Sequence, residues 1–189
     1  MRMVPPEMPF ALCIKSRDAT ANAIASLWDR VGVFEDFPSM RALNYPPHIT
    51  FAIYGSAAAS EQLAIATLER VATGRTAIEL TFDRIRSFDG PPLILWADPE
   101  PKNGLRDIHD QIHCAIDPAL CHPHYRPGCW VPHCTLGTRI ARERNPDALA
   151  FANAFRGGLR VFFDTVDCVR LEPLNVVAEL HLRSPLKQE

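Results

Sequence analysis

The chain has 189 residues, 47% of them apolar, with 20 Lys and Arg against 22 Asp and Glu for a formal net charge of -2. That length buries a substantial core as one unit, and the near-balanced charge argues against a grip on long duplex nucleic acid while allowing a small anionic ligand held by local groups. No apolar run reaches the roughly 18 residues of a membrane span, the first residues lack the core of a secretion signal, and six scattered cysteines form no disulfide framework, so the expectation is a cytoplasmic monomer with reduced thiols.

In chain order, Phe10-Ala11-Leu12-Cys13-Ile14 reads as a short buried strand. Ile24, Leu27, Trp28 and Val31 then recur at the spacing of one helical face, with Asp18 or Thr20 to cap it and Gly32 at its end. A strand over 48–54 follows, then a helix through Leu63, Ala64, Leu68 and Val71 behind Ser60, then alternating Ile78, Leu80 and Phe82. The order repeats with a strand at Leu93-Ile94-Leu95-Trp96, a helical face of Leu105, Ile108, Ile112 and Ala115, and a strand over 130–137. Ala148, Phe151 and Phe155 predict a helix stopped by Gly157-Gly158, and two alternating strands close the pattern, Leu159 to Phe163 and Val176 to Leu182.

Two of these strands carry the same pattern after a proline: Pro47-His48-Ile49-Thr50-Phe51 and Pro132-His133-Cys134-Thr135-Leu136. In an extended strand His48 and Thr50 share one face while Ile49, Phe51 and Ile53 share the other, and the second copy reads likewise. The strands at Phe10 and Leu93 are offset by 83 positions and the two histidines by 85, which suggests an internal duplication. Packed about a pseudo-two-fold axis, equivalent strands face each other across a groove. Two imidazoles on opposite sides of one ligand suit in-line displacement at phosphorus, one accepting a proton from the nucleophile and one protonating the leaving oxygen. The neighbouring threonine hydroxyls suit a non-bridging phosphate oxygen, and the scheme needs no metal or other cofactor.

These residues resemble the two-histidine phosphoesterase superfamily, which includes 2'-5' RNA ligase-like proteins and RNA 2',3'-cyclic phosphodiesterases. The resemblance implies an α+β fold of two pseudo-symmetric lobes, approximately 10–88 and 92–182, with mainly antiparallel sheets flanking a central cleft and helices outside. It implies His48 and His133 as the catalytic pair, Thr50 and Thr135 as phosphate ligands, and a nucleotide or short RNA with a cyclic phosphate end as substrate. By resemblance His133 is the base that orients water and His48 the acid, although pseudo-symmetry allows the reverse. A small cyclic phosphate metabolite as substrate, and a nucleotide- or RNA-binding module without turnover, are the alternatives.

Around the motifs, Tyr45, Tyr54 and Tyr125 are candidates to stack on a base, while Trp130 is expected to pack in the core. Arg126 is the first choice among Arg41, Arg126 and Arg139 to neutralise phosphate. His109 and His113, four apart on a helix, are expected on a solvated face. Cys121, His122, His124, Cys129, His133 and Cys134 are zinc-ligand types without the paired spacing of structural zinc sites, and a proline-rich loop leading into a strand is the expectation there.

Overall fold

The computed structural model describes residues 9–55 and 59–184. Two four-stranded antiparallel sheets form an α+β fold, as expected. One runs in the order β2 (His48–Tyr54), β1 (Phe10–Lys15), β7 (Thr165–Leu171), β8 (Leu174–His181), and the other β5 (Cys134–Ile140), β4 (Leu93–Glu100), β3 (Ile78–Phe88), β6 (Leu159–Phe163). Among the described residues the helices are α1 (Asn22–Gly32), α2 (Ser39–Ala42), α3 (Glu61–Ala72), α4 (Asn103–Ala115) and α5 (Asn145–Ala154), together with short 3₁₀ turns. None is long and apolar enough to cross a membrane, and all six cysteines are free thiols.

Local chemistry starts these elements where the pattern places them. The Asp18 carboxylate accepts from Thr20 N at 2.8 Å and opens the turn that leads into α1, whose Ile24, Leu27, Trp28 and Val31 are all buried. Ser60 caps α3 by accepting from Leu63 N at 3.1 Å. Helix α3 then packs on β7, β8 and β1, and α5 packs on β3. Helices α1 and α4 reach across instead: α1, which follows β1, lies on β5, and α4, which follows β4, lies on β2.

The two sheets are not the two halves of the sequence. Strand β3, from the first half, is hydrogen-bonded between β4 and β6, while β7 and β8 return to complete the sheet begun by β1 and β2. Strand β7 escapes the periodicity because Asp167 sits fully buried within it and only Asp164 separates it from β6. Strand β3 runs past Phe82, where the apolar alternation ends, to Phe88, through Asp83, Arg84 and Arg86.

A matched irregularity marks both histidine strands. Cys13 pairs with Thr50 and Leu12 with Ala52, so Phe51 is an extra residue. Trp96 pairs with Thr135 and Leu95 with Gly137, so Leu136 is its counterpart. Each bulge falls one residue past the threonine and reverses the strict alternation expected beyond it. Phe51 and Ala52 are both buried as a result, whereas Ile53, expected on the core face, is partly exposed.

Candidate active site

His48 and Thr50 from β2, with His133 and Thr135 at the start of β5, line one cleft of about 160 Å³ together with Met40, Leu43, Tyr125 and Thr138. His133 stands one residue before β5, and the expected strand over 130–137 is shifted to Cys134–Ile140 because residues 130–133 form a connecting segment. Burial still alternates as the motif requires: Cys134 and Leu136 are buried, and His133 and Thr135 face the cleft.

Both imidazoles are held the same way. His48 Nδ1 lies 2.9 Å from the Pro46 carbonyl and His133 Nδ1 2.7 Å from the Val131 carbonyl, each two residues upstream. Each acceptor residue precedes a proline, whose ring restricts it to extended backbone. A carbonyl only accepts, so Nδ1 carries the proton and Nε2 is the nitrogen left with a lone pair for the cleft. Aromatic edges fix the rings: Tyr45 stands against His48 with centroids 4.8 Å apart, and Phe88 and Trp96 against His133 at 5.0 and 5.9 Å.

The threonine strands are clamped across the lobes. Trp28 Nε1, on α1, donates to Thr135 O at 3.0 Å, and Trp130 Nε1 donates to Thr50 O at 2.9 Å. Trp130 packs on Phe51 and lies flat on His109 of α4, with centroids 4.2 Å apart and planes within 3°. His109 and His113 are therefore buried, not solvated as expected, and both Nε2 atoms bond the Tyr125 carbonyl at 2.8 and 3.0 Å. Their helix face is covered by the loop 118–130. That loop is itself tied to the end of β2 by His122 N donating to Ile53 O at 2.9 Å.

Burial dominates the electrostatics of the cleft. It lowers His48 to about 4; the Pro46 carbonyl opposes this, and His133 and Lys15 add to it. Burial likewise lowers His133, against the Val131 carbonyl. Lys15, the register partner of His48, is enclosed with its Nζ 2.7 Å from Asp167 and 2.5 Å from Glu179. Asp167 also accepts from the Tyr45 hydroxyl at 2.6 and 2.7 Å, and burial holds its carboxyl above the usual range despite Lys15 and Tyr45.

Of the expected substrate contacts, Tyr125 lines the cleft. Tyr45 stands behind His48 with its hydroxyl committed to Asp167. Tyr54 is fully buried in the core against Phe10, six residues and about 20 Å of strand beyond His48. Arg126 does not reach phosphate: its guanidinium holds the loop together by donating to the Cys121 and Ala119 carbonyls. Arg41 is paired with Asp29 over the Trp28 ring, and Arg139 is exposed outside the cleft lining. Among the described residues no three His, Cys, Asp or Glu side chains converge as metal ligands. Thr138 escaped sequence reading because the Leu136 bulge turns it onto the face of Thr135; its backbone N is held by Glu35 Oε1 at 2.9 Å and Ser39 Oγ at 3.0 Å.

Comparison with known proteins places this arrangement. The family described as the 2'-5' RNA ligase superfamily matches residues 17–172. Among curated proteins none matches the chain. Among solved structures, TT0787 of Thermus thermophilus superposes with a TM-score of 0.63 at 19% identity, covering 94% of this chain and 99% of that one. E. coli LigT complexed with 3'-AMP gives 0.62 at 15%, covering 94% and 98%. Kluyveromyces marxianus Usb1 gives 0.54 at 10%, covering 93% and 99%.

Proposed function

The chain belongs to the 2'-5' RNA ligase superfamily of two-histidine phosphoesterases, and from that premise we propose that it opens 2',3'-cyclic phosphate ends of nucleotides or short RNA to a 2'-phosphate, with 2'-5' ligation as the same displacement when an RNA 5'-hydroxyl takes the place of water. The observation that carries this reading is the matched restraint on the two imidazoles. Each Nδ1 is tied to a carbonyl, so two Nε2 atoms are offered to one small cleft that also holds two threonine hydroxyls. Solved structures of the same fold hold nucleotides, namely LigT with 3'-AMP and with NADP+ and Usb1 with uridine monophosphate, which supports a nucleotide ligand.

In the forward step water attacks phosphorus as the bond from phosphorus to the ribose 3'-oxygen breaks. One Nε2 takes the proton from water, and the other, protonated, delivers one to the departing 3'-oxygen. The imidazole on the ribose side is the acid and the one across the phosphate is the base. Burial keeps both neutral near pH 7 before substrate enters, and the anionic phosphate favours the single proton that the acid needs. Thr50 and Thr135 donate to the non-bridging oxygens as charge collects there. The free thiols accord with a cytoplasmic setting.

Turnover of a 2',3'-cyclic mononucleotide by wild type, His48→Ala and His133→Ala tests the proposal. Each substitution is expected to lower kcat about 10²–10⁴-fold, and the product should carry a 2'-phosphate by ³¹P NMR. Binding without turnover by the wild type would replace the enzyme with a binding module. Full activity of either alanine variant would remove the acid–base pair, and faster turnover of a small cyclic phosphate metabolite would move the substrate.

A further inference from the structure

Past a bulge at Asp83, β3 turns Arg84, Arg86 and Phe88 onto one face of its sheet. Opposed residues of antiparallel strands share a face. Arg86 is opposed by Trp96 of β4, and Trp96 by Thr135 of β5, so one row across the sheet runs from the phosphate-binding threonine through Trp96 to Arg86. With strands about 4.8 Å apart, Arg86 is rooted about 10 Å from Thr135. Beside this row a groove of about 1030 Å³ opens between β3, β4 and α5.

Arg84, Arg86, Lys102 and Arg156 line this groove against two acids, Asp83 and Asp98, a local excess of cations on a chain whose net charge is -2. Asp98 is already shared by Arg86 at 2.5 Å and Lys102 at 2.8 Å. Among the described residues Arg84 and Arg156 have no carboxylate partner, and Arg156 bonds only the Asn153 and Phe155 carbonyls. Phe88, partly exposed, lies nearly parallel to Trp96 with centroids 5.1 Å apart and sets its edge on His133, so an apolar ring connects the catalytic imidazole to the cations. Trp96 Nε1 is a buried donor without an acceptor, whereas the indoles of Trp28 and Trp130 both have one.

We infer that this groove binds single-stranded RNA on the 5' side of the cyclic end, with a base against Phe88 and the preceding phosphates on Arg84 and Arg156. This sets the ribose on the His133 side and makes His133 the acid and His48 the base, the reverse of the roles the resemblance implies. The inference rests on the function proposed above and narrows its substrate from nucleotides to oligonucleotides. Aromatic faces stack on any base and arginines meet any backbone phosphate, so the groove selects for length and single strands rather than for sequence.

The test compares kcat/KM for a 2',3'-cyclic mononucleotide and for a pentaribonucleotide with the same end, in wild type and in the Arg84→Gln/Arg156→Gln double variant, with thermal unfolding as a check on folding. The wild type should prefer the pentamer, and the double variant should lose at least tenfold of that preference. The salt dependence of pentamer binding should become shallower by about 1.4 in log–log slope, at about 0.7 per single-strand phosphate contact. An unchanged preference overturns the groove. Anisotropy with a labelled pentamer ending in 2'-phosphate separates the two proposals. If the wild type turns over neither substrate, weaker binding by the double variant keeps the groove and discards the catalysis, and equal binding discards the groove.

Discussion

The two sides of the cleft are alike where the proposed reaction places the phosphate and opposite just behind it. Both carry a histidine tied through Nδ1 to a carbonyl, a threonine whose own carbonyl takes an indole N–H, and a bulge one residue later. Behind His48, Lys15 lies two residues from the strand partner of Thr50 and meets Asp167, the partner of that residue on the next strand. The equivalent positions behind His133 are Asp98 and Arg86, with acid and base exchanged. The first pair is sealed, while Arg86 is half exposed and opens onto the groove. The two histidine strands share the restraints on the proposed catalytic pair, and their flanks diverge into a closed wall and an open groove.

The sharpest way to break this contrast is to remove one charge from each side. Lys15→Met strands Asp167 in the interior and is expected to cost about 3–5 kcal/mol in chemical denaturation. Asp98→Asn leaves cations that water can reach and should cost about 1 kcal/mol or less. Equal costs would show that the enclosure around Lys15 contributes nothing of its own. The likeness of the two sides is tested next by Thr50→Val and Thr135→Val, which should each lower kcat about 10²-fold with little change in KM. A loss confined to one threonine would make the phosphate site one-sided.

Titration of the ring protons by NMR is a finer probe. His48 should protonate near pH 4, well below its ordinary value, and His133 should also fall below the ordinary value. The unfolded chain then takes up protons near pH 6.5 that the folded chain excludes, so for His48 stability falls as pH drops from about 6.5 toward 4, by up to about 1.4 kcal/mol per pH unit, and His133 acts in the same direction. Normal titration of either ring would mean that its side of the cleft is wetter than the fold implies. The clamps are expected to have an effect of similar small size: Trp28→Phe and Trp130→Phe should each lose about 1 kcal/mol in chemical denaturation, and a large difference between them would break the symmetry of the cross-lobe bonds.

Much of this was legible in the sequence because it is periodic. Ile24, Leu27, Trp28 and Val31 announce a buried helix face, and the two His-x-Thr runs announce a polar pair on an apolar strand. Strand β7 was hidden because an acid buried by Lys15 and Tyr45 looks like a loop residue until its partners are known. The apolar alternation marks β3 only as far as Phe82, because beyond it Arg84 and Arg86 put charge on the face that lines the groove. Thr138 was lost to a bulge, which shifts parity without any change in composition. Arg126 and His109 depart from expectation because their partners are carbonyls and a ring contributed by a loop, and no side-chain pattern records those.

The exchange of strands between the sheets bears on how the molecule is made. As the chain leaves the ribosome, β1 and β2 emerge first, yet β7, the inner neighbour of β1, is separated from it by the whole second lobe. The lobe whose strands are translated first is thus the last to be completed, and until then the apolar residues of β1 have one open flank. Pairing over that separation is slow compared with local closure, so the second sheet, whose four strands all lie within residues 78–163, can be complete before the first. The His48 side of the cleft would then be the last to form, and catalytic competence would coincide with the closing of β7 on β1.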